Sequence, residues 1–450
     1  MVRSDHPLAT TAKSLNPPAV AQSAFFTGNY VAAAVRPPKL TPTPPRYSLP
    51  SKRENPQAKN TEDAMTPMQN RGHSKRAVAS LSRTISICIA AAALIGTTAL
   101  PRAADAGEIP TFAVDASWPK PLPNNWILGQ VGGITVDWQG HIWVIHRPRS
   151  LTDDEKGASL TPPRSKCCLS APPVLEFDAD GNLLRSWGGP GEGYEWVGRE
   201  HGIEVDERGF VWVGGNAEND NAILKFTLDG KFVMQIGKIA PSKGSNDTTQ
   251  LGKPAETAID KAADEIYVAD GYGNRRVIVF DATSGAYKRH WGAYGHPPDD
   301  SKQPPYDPKA PVSQQFANPV HCVKIANDGL VYVCDRINDR IQVFRKDGTF
   351  VKEWFFEKNT LGNGAVWDIA IWPDPKQTYL LSADGENNEI RVLKREDGTV
   401  VGSFGRNGRN AGQFHWIHAM AVDAQGNVYT AEVDTGKRIQ KFKLTSDALR

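Results

Sequence analysis

Three histidines occupy matching positions in alternate copies of a repeat, and their type and spacing suit metal chemistry. His201, His321 and His418 each lie at the start of a predicted β-strand, in the second, fourth and sixth copies. Three imidazoles that meet at one point can bind a metal ion and leave one coordination position open, as in catalytic zinc sites. A single histidine at a strand end is more often structural, but three at one repeat position favour a metal site. The sequence therefore predicts that these histidines bind Zn²⁺.

Three further polar residues follow strands at the same end of the predicted repeats. Arg147 and Arg336 end the second strands of the first and fourth copies, and Tyr272 lies between two glycines just after the second strand of the third copy. A phenol oxygen can act as a base, and guanidinium groups can hold it or a substrate anion. Beside a Lewis acid, these three residues are candidate catalytic residues.

The elements that must position these side chains are six copies of one repeat. The second strand of the repeat reads IWVIHR (142–147), VWVGGN (211–216), IYVADG (266–271), VYVCDR (331–336), YLLSAD (379–384) and VYTAEV (428–433). Apolar residues alternate and turns such as DERG and DAQG separate the strands, which predicts four-stranded antiparallel meanders. Such meanders cover one another's faces when they are arranged radially. The predicted fold is therefore all-β, a six-bladed β-propeller.

The two ends of the repeat region predict how the ring closes. The chain ends after the third strand of the sixth repeat, and the segment TFAVDASW (111–118) precedes the first repeat and can supply the missing fourth strand. Aligned repeats place the three histidines in register with Gly132, Ala255 and Trp367 of the odd-numbered copies. Because the first strands of a propeller converge on its axis, the histidines are expected to form a trigonal set.

The N-terminal segment has a different composition. Residues 1–67 are rich in Pro, Ala, Ser and Thr without apolar periodicity, so they are predicted to be disordered or to follow a start codon placed too far upstream. Residues 68–106 combine a basic stretch, an apolar run of 16 residues at 85–100 and a small-residue cleavage site, which is the pattern of a signal peptide. The run is shorter than the roughly 20 residues of a membrane span. The propeller domain, 107–450, is therefore expected to be secreted or periplasmic, without stable membrane insertion after cleavage.

Charge and cysteine content exclude some functions and permit crosslinks. A net charge of +2, with no dense basic run, argues against nucleic-acid binding, and a monomer is expected. Cys322 and Cys334 flank a hairpin turn and could lie opposite each other on adjacent strands, a pairing that an exported protein permits. Cys167 and Cys168 are adjacent in the sequence, and we expect them to remain unbonded to each other.

Across the mature region the chain resembles the peptidyl-α-hydroxyglycine α-amidating lyases, which are six-bladed propellers of NHL-repeat type. The segments that carry the likeness are LGQVGGITVD (128–137), EHGIEVD (200–206), ADGYGNRRVIVF (269–280), NPVHCVKI (318–325), CDRINDRIQVF (334–344) and WIHAMAVD (416–423). The resemblance implies that His201, His321 and His418 are zinc ligands and that Tyr272 is the base, assisted by Arg147 and held by Arg336. The substrate implied is a peptide or small molecule ending in α-hydroxyglycine, whose N–Cα bond breaks to give an amide and glyoxylate.

Two departures from the family pattern and two other functions bear on this interpretation. Ala419 stands where the family has an acidic residue that helps to hold Ca²⁺, which argues against a calcium site, and Trp416 and Ile417 replace an apolar methionine near the third histidine. One alternative is a secreted, non-catalytic NHL-repeat propeller that acts as a binding module. The other is a propeller hydrolase, such as a calcium-dependent lactonase, which would need acidic and amide residues on the axis.

Overall fold

The computed structural model describes residues 108–449, and within them six four-stranded antiparallel sheets form the blades of a propeller. Blade 1 contains Gln130–Val136, Ile142–Arg147, Val174–Phe177 and Leu183–Trp187, and blade 2 contains Glu200–Asp206, Phe210–Gly215, Asp220–Thr227 and Phe232–Ile239. Blade 3 contains Glu256–Asp260, Glu265–Asp270, Arg276–Asp281 and Tyr287–Trp291, and blade 4 contains Val320–Ile325, Val331–Asp335, Arg340–Phe344 and Phe350–Phe355. Blade 5 contains Asp368–Ile371, Tyr379–Asp384, Glu389–Lys394 and Val400–Phe404, and blade 6 contains Ile417–Val422, Val428–Glu432, Ile439–Leu444 and Phe112–Asp115.

A few short elements lie outside the blades. Trp126–Ile127 and Leu169–Ser170 form a two-stranded parallel pair, and short 3-10 helices span Pro123–Asn125, Pro148–Ser150, Gly157–Ser159 and Ala293–Gly295. No helix in the described part of the chain is long and apolar enough to cross a membrane. The predicted N-terminal extension and signal peptide, 1–106, lie outside the described residues.

The predicted fold and its ring closure are confirmed. The first strand of each blade packs beside the first strand of the next, and the sixth packs beside that of blade 1. The N-terminal strand Phe112–Asp115 pairs antiparallel with the third strand of blade 6, with Phe112 opposite Leu444 and Asp115 opposite Lys441. Blade 6 is thus completed by strands from both ends of the domain, and backbone hydrogen bonds between these strands join the two ends.

Apolar side chains fill the spaces between neighbouring blades rather than a single central core. The buried apolar residues of the described region form six clusters, and each cluster draws on two adjacent blades. Trp143 of blade 1 packs with Val211 of blade 2, for example, and Tyr429 of blade 6 packs with Leu175 of blade 1. Because each sheet buries both faces in this way, the second strands are buried over almost their whole length.

An aspartate follows the first strand or ends it in blades 1, 2, 3 and 6, and in blades 1, 2 and 6 it also binds the tryptophan or tyrosine of the second strand. Asp137 accepts hydrogen bonds from the backbone amides of its own turn and from the indole nitrogen of Trp143, at 3.0 Å. Asp423 serves its own turn in the same way and accepts a hydrogen bond from the Tyr429 hydroxyl at 3.0 Å. One carboxylate therefore satisfies both the turn and the polar end of a buried aromatic ring.

The two cysteine pairs have different outcomes. Cys322 and Cys334 lie opposite each other on the first two strands of blade 4 and are joined by a disulfide, with Cα atoms 4.8 Å apart. The expectation for Cys167 and Cys168 was wrong, because the structure joins these neighbours in a disulfide with Cα atoms 3.1 Å apart. They lie in the connection between the second and third strands of blade 1. The other two cysteines of the described residues, in blade 4, are paired with each other.

Candidate functional site

The three histidines of the even-numbered blades meet on the propeller axis. His201, His321 and His418 are each buried at the start of a first strand, and their ring centres are 4.6 to 5.2 Å apart. One ring nitrogen from each lies within 4.8 Å of the others. This trigonal arrangement is the one that the repeat alignment predicts.

Each histidine is oriented by the backbone of the following blade. His201 Nδ1 donates a hydrogen bond to the carbonyl of Ala255 at 2.8 Å, and His418 Nδ1 donates one to the carbonyl of Gly132 at 2.8 Å. His321 Nδ1 bonds in the same way to the carbonyl of Trp367, at 2.5 Å. These acceptors are the residues that occupy the histidine position in the odd-numbered blades. A carbonyl only accepts hydrogen bonds, so Nδ1 carries the hydrogen and Nε2 keeps its lone pair.

The environment keeps the imidazoles neutral. Burial lowers the pKa of all three histidines well below the ordinary value, and neighbouring positive groups lower it further, with Arg336 acting on His321 and the other two histidines acting on His418. A neutral imidazole with a free Nε2 is the form that binds transition metals. Three such nitrogens around one point match the donor set of zinc, so the residues present fit the metal that the sequence predicts.

Tyr272 lies against the open side of the histidine set. Its hydroxyl oxygen is 2.9 Å from His201 Nε2 and 3.0 Å from His321 Nε2. A phenol has a single hydrogen to donate, so only one of these two lone pairs can be satisfied by it. His418 Nε2 has no hydrogen-bond partner within residues 108–449. The unsatisfied nitrogens are a second reason to regard this point as a cation site.

A buried carboxylate fixes the loop that carries Tyr272. Asp270 accepts hydrogen bonds from the Gly252 amide at 2.6 Å, from Asn274 Nδ2 at 2.7 Å and from Arg276 Nε at 2.9 Å. Asp335 makes an equivalent pair with Arg340 beside Arg336. These recurrent aspartates therefore have the structural role that their repeat position indicates, and they hold the phenol and Arg336 in place.

The two predicted arginines reach the same side of the site. Arg336 Nη1 donates to the Tyr272 hydroxyl at 3.2 Å, and its guanidinium lies over the Trp367 ring, 4.5 Å from the ring centre. Its buried Nε has no hydrogen-bond partner in the described part of the chain. Arg147 is held by Nε to the Glu200 carbonyl at 2.7 Å and by Nη1 to Gln130 Oε1 at 2.8 Å. The structure thus brings all six predicted site residues together.

A cleft of about 230 Å³ opens above the histidines. Trp367 and Trp416, which the sequence analysis named for their positions, line it as well. It is also lined by residues that the sequence reasoning did not single out, namely Gln130, Arg199, Asn216, Asn363, Val433 and Asp434. Arg199 is exposed at the rim of the cleft. The pKa of Arg147 is lowered to about 10, chiefly because Arg147 is buried and secondly because the positive charge of Arg199 lies nearby. Arg199 comes just before Glu200 and His201 in the sequence, and this position was the signal that could have placed it near the site. His415 lies beside the site and bonds to Asp434 at 2.8 Å instead of joining the histidine set.

A buried cluster of charges lies below the histidines in the axial channel. Glu256 and Asp368 directly follow the histidine position in blades 3 and 5, and both line the axial cavity with the histidines. Lys324 Nζ is 2.5 Å from Glu256 Oε1 and 3.9 Å from Asp368 Oδ1. Burial and, after it, the neighbouring Glu256 raise the pKa of Asp368 to about 8 although Lys324 opposes them, so Asp368 holds a proton at neutral pH. The sequence reasoning missed this cluster, although its two acidic members, Glu256 and Asp368, occupy one repeat position.

Replacing Asp368 with asparagine is expected to remove a pH dependence of stability. The folded protein keeps a proton on Asp368 up to pH about 8, whereas the unfolded chain releases it above about 3.8. The contribution of protonated Asp368 to the free energy of unfolding is therefore complete below pH 3.8, and it is lost as the pH rises from there to about 8. Relative to the variant, the wild type should lose up to about 1.4 kcal/mol of unfolding free energy per pH unit between roughly pH 6 and 8.

Urea unfolding across that range, with the same measurement on Asp397→Asn, tests this expectation. Asp397 lies in an exposed turn and its lowered pKa places its titration at acid pH, so its variant should follow the wild type. The titratable histidines contribute equally to all three proteins and cancel in the comparison. Parallel pH profiles for the wild type and Asp368→Asn would show that Asp368 is ionised in the folded state.

Together, the fold and the site define a six-bladed β-propeller with a candidate metal centre on its axis. The chain is homologous to proteins named peptidyl-alpha-hydroxyglycine alpha-amidating lyase and NHL repeat-containing protein. NHL repeat-containing protein 3 of Mus musculus is 27% identical over 349 residues, covering 74% of this chain and 85% of that protein. The probable peptidyl-alpha-hydroxyglycine alpha-amidating lyase of Caenorhabditis elegans is 24% identical over 323 residues, covering 70% of this chain and 82% of that protein.

Longer relatives and solved structures are also similar. The peptidyl-glycine alpha-amidating monooxygenase B of Xenopus laevis is 25% identical over 327 residues. The matched region covers 71% of this chain but only 34% of that protein. No protein-family profile matches the chain. A Bacteroides thetaiotaomicron protein of unknown function has a TM-score of 0.47 at 15% identity, over 71% of this chain and 70% of that one. A streptogramin B lyase has a TM-score of 0.44 at 13% identity, and the match covers 75% of this chain and 98% of that one.

Proposed function

We propose that the protein is an exported zinc-dependent lyase that cleaves the N–Cα bond of a C-terminal α-hydroxyglycine, or a related hemiaminal, to give an amide and glyoxylate. The observation that carries the proposal is the Tyr272 hydroxyl, which lies 2.9 and 3.0 Å from the free Nε2 atoms of two neutral axial histidines. This arrangement puts a proton acceptor beside the imidazoles that would hold a metal ion. Relatives named as amidating lyases support the same reaction class.

His201, His321 and His418 would hold the zinc ion through Nε2. When bound, zinc supplies Lewis acidity that makes a neighbouring hydroxyl more acidic. The Nδ1 bonds to backbone carbonyls fix the three rings, so the donors are in place before the metal arrives.

The chain's own residues account for the proton transfers and for the binding of the substrate anion. In this step Tyr272 acts as the phenolate, its own hydrogen having been lost to solvent beforehand, and its oxygen accepts the proton of the substrate hydroxyl as the N–Cα bond breaks. The former C–O bond becomes the aldehyde of glyoxylate, the bonding electrons move to nitrogen, and a proton returned to that nitrogen completes the amide. Arg336 Nη1, at 3.2 Å, compensates the negative charge on the phenol oxygen. Arg147 keeps Nη2 unpartnered within residues 108–449 and is available to the substrate carboxylate.

The proposal is tested by incubating the purified protein, loaded with Zn²⁺, with an α-hydroxyhippurate-type compound and measuring glyoxylate. Release of glyoxylate and the amide in equal amounts is the expected result. Stoichiometric zinc without any product formation would contradict the reaction, and absence of a stoichiometric transition metal after gentle preparation would contradict the metal centre as well.

A second candidate function is a non-catalytic NHL-repeat binding module, favoured by the similarity to NHL repeat-containing protein 3 over most of that protein's length. It predicts no bound zinc and no functional change when His201 is replaced. The burial of three neutral imidazoles at one point favours the metalloenzyme, because a single phenol hydrogen cannot satisfy the three Nε2 lone pairs and a purely structural propeller gains nothing from leaving them unsatisfied.

A further inference from the structure

Trp416 has a backbone conformation that is costly for an aromatic residue. Its φ is +52°, in the left-handed region that bulky side chains rarely adopt. The conformation is held by a hydrogen bond from its amide to Asn388 Oδ1 at 2.7 Å and by one from the Val433 amide to its carbonyl at 3.1 Å. Such outliers are retained where the surrounding structure fixes them, and they cluster at functional sites.

The indole of Trp416 is a half-buried wall of the cleft above the histidines. It meets the buried Trp367 ring edge to face, with ring centres 5.5 Å apart, and lies nearly parallel to the His415 ring at 12°. Trp367 in turn lies 5.8 Å from the His418 ring. The two tryptophans therefore form an aromatic corner directly beside the candidate metal centre. The Trp416 indole nitrogen has no hydrogen-bond partner among residues 108–449, so hydrogen bonding does not explain the position of the ring.

The cleft also has a cationic part, and one of its arginines, Arg336, stacks on the Trp367 ring of the aromatic corner. Arg147, Arg199 and Arg336 line it, and Asp434 is the acidic residue among its lining groups. Asp434 is already engaged with His415. A ligand that fits both parts carries a carboxylate for the arginines and a flat apolar group for the aromatic corner. An aromatic ring gains edge-to-face contacts with indole beyond the burial of its area, and an aliphatic group does not.

We propose that Trp416 is a specificity-determining residue that selects substrates in which an aromatic acyl group is attached to the reacting nitrogen. This inference rests on the proposed function, because it names the substrate class of the same site. The indole of Trp416 lines the cleft, its corner with Trp367 holds the acyl ring, and Arg147 and Arg199 hold the carboxylate.

The test compares two substrates that differ only in the acyl group, N-benzoyl- and N-acetyl-α-hydroxyglycine. Wild-type protein is expected to prefer the benzoyl compound by about tenfold or more in kcat/KM. Trp416→Ala should lower this ratio toward one, and Trp416→Phe should retain most of it. Trp138→Ala removes an indole that is 45% exposed away from the cleft and should leave the ratio unchanged. No preference in the wild type, or an equal loss on both substrates in Trp416→Ala, would overturn the inference.

A binding measurement separates failure of this inference from failure of the proposed reaction. The unreactive ligands N-benzoylglycine and N-acetylglycine are titrated into the zinc-loaded protein by calorimetry. Tighter binding of the benzoyl ligand that is lost in Trp416→Ala supports the aromatic corner even if neither hydroxylated compound is cleaved. Equal affinity for both ligands overturns the inference, whatever the activity. Thermal unfolding and zinc content of each variant establish that it is folded.

Discussion

Replacing Tyr272 with phenylalanine is expected to lower kcat for glyoxylate release by about 100- to 10,000-fold, the contribution typical of a positioned general base. Phenylalanine keeps the ring and its edge-to-face contacts with His201 and His321 but removes the only atom placed to accept the substrate proton. Zinc content should stay at the wild-type level, because the imidazoles and their carbonyl partners are untouched. The measurement is steady-state kinetics on zinc-loaded protein, with metal analysis of the same samples.

Tyr287→Phe is the matched control. Tyr287 lies on the outermost strand of blade 3, where its hydroxyl bonds to His290, and the same atom can be removed there without reaching the axis. Its variant should have wild-type kcat. Activity that survives in Tyr272→Phe would remove the phenol from the mechanism and leave the histidine set with a different base.

The second large effect is expected from the double substitution His201→Ala, His321→Ala. Two of three donors are removed, and a lone imidazole in a buried cavity does not retain zinc. Metal content should fall from about one zinc per chain to background, and activity should be lost. A ligand present at about 1,000 times its Kd stabilises a fold by about 4 kcal/mol. A chelator should therefore lower the Tm of the wild type and have no effect on the double variant.

The control for this experiment is His290→Ala, His296→Ala, which removes the same number of imidazoles from the outer strand and loop of blade 3. It should keep the wild-type zinc content and the response to chelator. If the axial double variant still holds stoichiometric zinc, the metal lies elsewhere, and the binding-module interpretation of the propeller becomes the better one.

Repetition explains why so much of the fold could be predicted. Each repeat carries its own alternation of apolar residues, its own turn and its own aspartate, and these local signals act within about fifty residues. Six copies permit few arrangements that bury both faces of every sheet, so the radial one follows. The register of the histidines with Gly132, Ala255 and Trp367 was also visible, and the structure uses those three residues as the hydrogen-bond acceptors.

The features that escaped prediction depend on contacts between distant parts of the chain. The bond between Cys167 and Cys168 depends on the path of a long connection, for which the sequence has no periodic signal. In the cluster of Glu256, Lys324 and Asp368, the strand that carries Lys324 has a register irregularity between Val320 and Cys322, which alters the side-chain alternation there. A simple two-residue alternation does not predict which residues after the histidines turn inward.

The sequence by itself determined the number of blades, the closure of the ring and the convergence of His201, His321 and His418, because those depend on a local pattern repeated with constant spacing. Only the tertiary structure decided which nitrogen of each ring is free, that the Tyr272 hydroxyl lies within hydrogen-bonding distance of two of them, and that Trp416 is a wall of the cleft. These depend on how neighbouring blades are seated and on loops whose backbone conformation is fixed by residues far away in the chain. Distances of this kind follow from packing rather than from periodicity.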